Sequence, residues 1–276
     1  MPEPPPPPDA EVTGGPRRLA LVTGASAGIG QAFAERLARE AWDLLLVARR
    51  RERLEDLAVQ LRDAHGRRVE VLAADLTARD GLQAVEARIA EEPTLELLVN
   101  NAGFGTSGAF AELDRDGEEL EVALNVVALV RLTHAALDAF KARGHGSVIN
   151  VSSLAGFQPG PYTATYGATK AFVNSFTQAV AEELRGTGVR LQLLCPGFTR
   201  TEFQDVAGVR TEGIPEFAWM APAAVVDASI EALRRGDLIV IPGAGNRVMG
   251  AVLRALPAAL ARRAGGALLR RTLARG

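Results

Sequence analysis

Short apolar, β-branched runs recur along the chain at residues 19–22, 43–47, 69–73, 95–99, 147–151, 189–194 and 238–241. Amphipathic stretches of helical period fill most of the intervals between them, as after residue 30, where Ala34, Leu37 and Ala38 share one face. Runs of this composition suit buried strands. Strands that alternate with helices predict an α/β chain: a doubly wound parallel sheet with helices on both faces, and ligands at the carboxyl ends of the strands. One such sheet can absorb all 276 residues, and 47% hydrophobic content is enough for a sizeable core.

The first run leads straight into Thr23-Gly24-Ala25-Ser26-Ala27-Gly28-Ile29-Gly30 and then into a helix. Strand, glycine turn and helix in that order aim backbone amides and a positive helix end at a phosphate. Glycines let the backbone approach a pyrophosphate and let the helix pack on its strand. The phosphate loop of nucleoside triphosphatases is a different pattern, because no Gly-Lys-Ser/Thr follows. The second run ends in Ala48-Arg49-Arg50-Arg51, where a site for NAD usually carries Asp or Glu to bind the ribose 2′-hydroxyl. A guanidinium fork suits a 2′-phosphate, which turns the expectation toward NADP(H) over NAD(H). Arg49 is assigned to the phosphate, and Arg50, Arg51 and Arg53 to the solvated face of the next helix.

The run at 147–151 ends at Ser152-Ser153, a Pro/Gly-rich loop follows, and Tyr166-Gly-Ala-Thr-Lys170 opens a helix. A spacing of four places Tyr166 and Lys170 on one helical face. A phenol titrates near pH ~10, and an ammonium within about 4–6 Å lowers that by roughly 1–3 units. Such a tyrosine can exchange a proton with an alcohol or carbonyl oxygen, and Ser153 can donate a hydrogen bond to the same oxygen. Elsewhere, Asn100-Asn101-Ala102-Gly103 at the fourth strand end can face a ligand, tie the sheet ends together, or do both. Thr77 is expected to cap the following helix. Asn125, in the middle of a helix over about 116–143, costs stability unless it bonds something. Cys195 reads as a small buried residue.

Several classes are excluded. A net charge of -2 makes no basic field for nucleic acid. One cysteine forms no intramolecular disulfide, and the three histidines are too scattered for a metal cluster. With neither a signal-like segment nor an uncharged run near ~20 residues, the expected location is cytoplasmic.

Over roughly residues 17–243 the sequence resembles the short-chain dehydrogenase/reductase family. The likeness rests on Thr23-Gly24-x3-Gly28-x-Gly30, Asn100-Asn101-Ala102-Gly103, Ser153, Tyr166-x3-Lys170 and Pro196-Gly197. It implies a Rossmann-like single domain and a catalytic tetrad of Asn125, Ser153, Tyr166 and Lys170. Tyr166 would be the acid/base, Lys170 would lower its pKa and hold the nicotinamide ribose, Ser153 would polarise the carbonyl, and Asn125 would anchor a water relay. The cofactor would lie against Gly24, Ser26, Gly28, Ile29, Gly30, Arg49, Asp75, Leu76, Asn101, Ala102, Gly103, Tyr166, Lys170, Pro196, Gly197 and Thr199. Many NADP enzymes of this family carry a basic residue just before the second motif glycine; here it is Ala27, which leaves Arg49 to discriminate.

The implied reaction is hydride transfer between NADP(H) and a carbonyl or alcohol carbon. Phe104, Leu154, Phe157, Tyr162 and Phe203 are the expected substrate residues beside Ser153, suiting an apolar ketone or aldehyde. The competing class is a nucleotide-sensing protein without turnover, against which the intact tetrad argues. Residues 200–220 read either as a lid or as a surface loop. Family members pair through two long helices, so a homodimer or homotetramer is expected, with alanines 128, 135, 136, 139, 168, 171, 179 and 181 permitting close approach.

Two ends fall outside the family pattern. Residues 1–16 hold a proline run and read as a linker-like tail. Residues 244–276 form a basic extension, expected to be helical and amphipathic. Val248, Met249, Val252, Leu253, Leu256 and Leu260 gather on one face, Pro257 kinks the helix, and Gly265-Gly266 separates a second one. That face either packs on the protein or lies on an anionic membrane through 247–276.

Overall fold

The computed structural model of the protein describes residues 17–208, 214–257 and 259–260. The expectations for 1–16 and for Gly265-Gly266 and beyond lie outside the described residues. In chain order the elements are β1 (Leu19–Thr23), α1 (Gly28–Arg39), β2 (Asp43–Ala48), α2 (Arg51–His65), β3 (Val69–Ala73), α3 (Arg79–Ala90), β4 (Leu95–Asn100) and α4 (Arg115–Val122). They continue with α5 (Leu129–Arg143), β5 (Gly146–Val151), α6 (Ala164–Glu183), β6 (Val189–Leu194), α7 (Phe203–Val206), α8 (Pro222–Arg235), β7 (Ile239–Val240) and α9 (Ala244–Ala255). The strands form one seven-stranded sheet in the order β3-β2-β1-β4-β5-β6-β7, and every neighbouring pair is parallel. The order reverses between β1 and β4, which opens the crevice where doubly wound sheets hold ligands.

Strand residues divide between the faces with a period of two. Ala20, Val22, Leu44, Leu46, Leu97 and Val99 pack with Phe33, Leu37, Leu54 and Ile230 from α1, α2 and α8. Their neighbours Leu19, Leu21, Leu45, Val47, Leu95 and Leu98 pack with Leu82, Ile89, Leu132 and Phe140 from α3 and α5. Burial on both faces is why these strands read as continuous apolar runs.

Helices α4 and α5 join through a π-turn at Ala123–Ala128 that contains Asn125. The joined helix Arg115–Arg143 is long and apolar enough, by length and composition, to cross a membrane; here Leu132, Ala136 and Phe140 bury it against the sheet. Three expectations are corrected. Thr77 does not cap α3: the cap position is Ala78, and Thr77 instead donates from its amide and hydroxyl to Asp75 Oδ1. Ala128 and Ala136 face the sheet and are buried, so they cannot line a subunit contact. Finally, α9 ends at Ala255 with Leu256 extended rather than kinking at Pro257, because the residue before a proline is sterically pushed out of the helical region.

Candidate active site

The sheet topology collects the marked segments at one edge. At the end of β1, helix α1 starts without a side-chain cap and without an acidic residue in its first turn, so its amides are available to an anion. Gly30 admits this close packing: a Cβ there would stand 2.3 Å from the Gly24 carbonyl oxygen. These features fit a pyrophosphate.

At the end of β2 the arginines do not divide as expected. Arg50 donates from Nε (3.2 Å) and Nη2 (3.0 Å) to Ser26 Oγ on the glycine turn, and from Nη1 to Glu202 Oε2 at 2.8 Å. Arg53 donates to the other oxygen of Glu202 at 2.5 Å. Arg50 and Arg53 therefore belong to the rim of the crevice and do not merely decorate α2; an arm of one turn from Arg50 brings Arg53 to the same carboxylate. Both guanidinium groups hold the Glu202 carboxyl below the usual range through these hydrogen bonds. Arg49 is exposed and acts electrostatically on Asp75, whose carboxyl lies low: burial raises it, and the Thr77 hydrogen bonds and Arg49 more than offset that. Leu76 is buried in the core, so only its backbone can meet a ligand.

The paired asparagines tie the sheet ends together. Asn101 Nδ2 donates to Thr23 O at 2.9 Å and Gly24 O at 3.3 Å, holding the glycine turn to β4. Asn100 donates to Thr133 Oγ1 (3.0 Å) and Asn150 Oδ1 (2.9 Å) beneath the site. Ala102 and Gly103 lie half-buried beside them. Just past β6, Pro196 O accepts from Leu154 N at 3.0 Å. Gly197 lies under Asn246 of α9, and Thr199 turns its hydroxyl back to Gly197 O at 3.1 Å.

Tyr166 and Lys170 project from the first turns of α6 toward Ser153 at the end of β5. Lys170 is buried; its Nζ donates to Val151 O at 3.0 Å and sits 5.7 Å over the Tyr166 ring centroid. Burial pulls the ammonium down to about 8, with Glu121 opposing. The phenol behaves differently from the sequence expectation. Burial pushes Tyr166 up to about 12, hydrogen bonding with Ser153 works the other way, and Glu121 adds to the rise. Desolvation of the phenolate is the largest effect here. Asn125 is buried, donates from Nδ2 to Phe104 O (2.8 Å) and Thr169 Oγ1 (3.1 Å), and accepts from Phe104 N at 3.1 Å. Its cost in the helix is offset by these bonds, and the π-turn marks a local geometry often found at functional sites.

Phe203 packs on Tyr166 with ring centroids 5.2 Å apart, which sets this side chain against the tetrad. Phe217, 89% exposed, stands in solvent. Phe104 is fixed by Asn125, and Tyr162 is held at φ 66 while its carbonyl accepts from Gly108 N at 2.9 Å. Leu154 and Phe157 instead pack with Val173, Leu193 and Ile241 beneath Gly250 of α9, where a Cβ would stand 2.7 Å from Ile241 Cδ1. They thus support the C-terminal helix. Cys195 is buried, and its thiol is pushed up to about 12 by that burial, which leaves it inert. Among the described residues no group of three or more His, Cys, Asp or Glu is placed to hold a metal ion.

Sequence reasoning missed Glu121, Thr106 and Glu202. Glu121 is wholly buried beside the tetrad; an acid one turn before Asn125 between Leu120 and Val122 was a readable signal. Thr106 and Glu202 sit in loops and carried none.

Comparison with known proteins accords with this geometry. A family model described as short chain dehydrogenase matches residues 18–209. Sulfoacetaldehyde reductase 2 of Chromohalobacter salexigens is 40% identical over 191 residues, covering 67% of this chain and 74% of that protein. A short-chain dehydrogenase from Sphingobium yanoikuyae in complex with NADPH superposes with a TM-score of 0.80 at 41% identity, covering 86% of this chain and 92% of the other. The bulky-bulky ketone specific alcohol dehydrogenase of Comamonas testosteroni gives 0.76 at 35% identity, covering 88% and 96%. With most of its length matched and the motif residues gathered at one sheet edge, this chain belongs to the short-chain dehydrogenase/reductase family, as an NAD(P)-dependent oxidoreductase acting on CH–OH/C=O groups.

Proposed function

We propose that the protein reduces ketones or aldehydes carrying apolar substituents, with NADP(H) as its cofactor. The observation that carries this reading is the Tyr166 phenol, set one helical turn from the buried Lys170, whose Nζ lies 5.7 Å from the ring centroid, with burial raising the phenol to about 12. It is protonated at neutral pH, so Oη holds the proton that a carbonyl oxygen must receive on reduction. The bound cofactor supplies the hydride. Ser153 orients and polarises the carbonyl, Lys170 contributes positive charge behind the phenol, and Asn125 fixes Phe104 at the wall. Gly24, Ser26, Gly28, Ile29 and Gly30 would hold the pyrophosphate end. NADP(H) is favoured by Arg49 and Arg50 at a strand end that bears no acid. The aromatic walls Phe104, Tyr162 and Phe203 favour an apolar substrate. Sulfoacetaldehyde reductase 2 is named for a substrate of a different kind.

The test is NADPH oxidation with a panel of hydrophobic ketones, hydrophobic aldehydes and sulfonated aldehydes. Turnover of the hydrophobic compounds is the expected result. Turnover of sulfonated aldehydes alone removes the apolar part of the proposal. Tight NADPH binding without any turnover supports a nucleotide-sensing role.

Two surface features suggest partners. On α6, Ala168, Ala171, Phe172, Ser175 and Ala179 form an exposed stripe of mostly small residues, which suits a second copy of the chain. On α9, Asn246, Gly250 and Leu253 face the body, while Val248, Met249 and Val252 point outward and are exposed. No acidic residue follows Asp237, and arginines recur to the end of the chain. Apolar residues flanked by arginine suit the surface of an anionic membrane.

A further inference from the structure

Glu121 is an ionisable side chain with 0% exposure, close enough to Tyr166 and Lys170 to act electrostatically on both. Its Oε1 is buried with no hydrogen-bond partner. Its Oε2 lies 2.8 Å from Thr106 Oγ1, and that same hydroxyl lies 2.5 Å from Glu118 Oε1. A threonine hydroxyl has one proton to donate. Two carboxyl oxygens at hydrogen-bond distance from it are both satisfied only if one carboxyl carries a proton and donates to Thr106. Glu118, half-buried, also accepts from Thr165 Oγ1 on α6. Thus a chain of hydroxyl and carboxyl groups runs from the partly exposed Glu118 to the buried Glu121.

The groups facing Glu121 are Glu118 on its own helix, Thr106 from the β4–α4 loop, and Tyr166 and Lys170 from α6. Cys195 on the strand side of Lys170 is neutral, its thiol held at about 12 by burial. Burial lifts Glu121 to about 7; Thr106 opposes this, and the Glu118 charge adds to it. Once ionised, Glu121 raises the proton affinity of both Lys170 and Tyr166, because a buried ammonium or neutral phenol is favoured by an adjacent anion.

We infer that Glu121 is a positioning residue for the reaction: it is the buried counter-charge that keeps Lys170 and Tyr166 protonated as pH rises, and it exchanges its own proton with solvent through Thr106 and Glu118. This rests on the acid/base reading of Tyr166 given above. The exchange moves one proton from the Glu121 carboxyl to Thr106 Oγ1 as the Thr106 proton passes to Glu118, and solvent receives it there. No oxidation or reduction is involved. Reduction then stays available to higher pH than the burial of Lys170 alone would permit.

Two measurements on the full chain test this. In 13C-carboxyl NMR titration of glutamate-labelled protein, one resonance should titrate near pH ~7 and be absent in Glu121→Gln. In the pH profile of kcat for NADPH-dependent reduction, the descending limb of Glu121→Gln should move toward acid by about one pH unit, with KM for NADPH unchanged. Wild-type carboxyls that all titrate in the ordinary acid range overturn the proposal, as does an unshifted limb in Glu121→Gln. Should Glu121→Gln fail to fold, Thr106→Val decides: loss of the hydroxyl should raise the carboxyl midpoint, and an unchanged midpoint overturns the shared proton. If no carbonyl compound is reduced, the proposed function fails, and the NMR titration still judges Glu121.

Discussion

Arg50 and Glu202 stand 152 positions apart in the chain and meet at 2.8 Å, with Arg50 also bonded to Ser26 on the glycine turn. The contact joins the segment that carries Phe203 to the strand end that would read the adenosine ribose. It places Arg50 beside Arg49 as a candidate for the 2′-phosphate, with Glu202 as the anion it now holds. A charge-assisted hydrogen bond is worth roughly 1.5–3 kcal/mol, and solvent at an exposed site reduces this. Arg50→Ala should therefore weaken NADPH about tenfold and leave NADH nearly unaffected. Arg49→Ala should act in the same direction, and Glu202→Gln should tighten NADPH a few-fold. Titration calorimetry with both nucleotides checks this. Equal weakening of both nucleotides by Arg50→Ala would make that arginine structural.

Tyr166→Phe should lower turnover by at least ~10²-fold, the lower range for a lost general acid. NADPH affinity should change little, since the phenol acts on the substrate oxygen. Stopped-flow reduction and equilibrium NADPH binding on the same preparation separate the two effects. Near-normal turnover would remove Tyr166 from the mechanism.

The raised Glu121 carboxyl also has a stability signature. Its folded pKa, about 7, lies above the ordinary value of 4.5. Its contribution is thus fully present below pH 4.5 and is lost as pH rises through about 7. The 2.5-unit gap between those values corresponds to an upper bound of about 3 kcal/mol. Glu121→Gln removes this dependence. Its stability relative to wild type should rise between those two pH values and stay level above them. Urea unfolding across that range reads the difference, and parallel wild-type and variant curves would count against it.

Phe172 on α6 is 42% exposed and stacks on Phe176 with centroids 5.8 Å apart. Phe172→Glu should convert an oligomer to monomer at micromolar concentration without loss of fold, because a charge in a dehydrated contact is left unpaired. Sedimentation of both proteins tests the stripe as a subunit contact. A wild-type monomer would sink it.

The outward face of α9 gives the last prediction. Full-length protein should co-sediment with anionic vesicles in a salt-sensitive manner, and a truncation after Gly245 should not. Neutral vesicles should bind weakly. Absence of binding to anionic vesicles would assign Val248, Met249 and Val252 to protein packing.

The strands, their parallel arrangement and the glycine turn were legible in the sequence because each is encoded locally. A strand covered on both faces must be apolar at successive positions, and a helix that approaches a strand end as closely as α1 needs Gly30. Tyr166 and Lys170 were legible for the same reason, since a spacing of four fixes their common face. The tertiary structure decided what depends on distance through space. Asn101 turned out to hold Thr23 and Gly24, and Leu154 and Phe157 to lie under α9, because partners from remote strands and helices claim those side chains. Arg50, exposed at the start of α2, found partners in Ser26 and Glu202 when the sheet brought three chain segments to one rim. The ionisation of Tyr166 could not be read from its neighbour four residues on: burial, which only the packed chain creates, lifts the phenol to about 12. Glu121 looked like one more charge on an amphipathic helix. Folding removed its water, left Oε1 without a partner, and set the carboxyl within electrostatic reach of Tyr166 and Lys170.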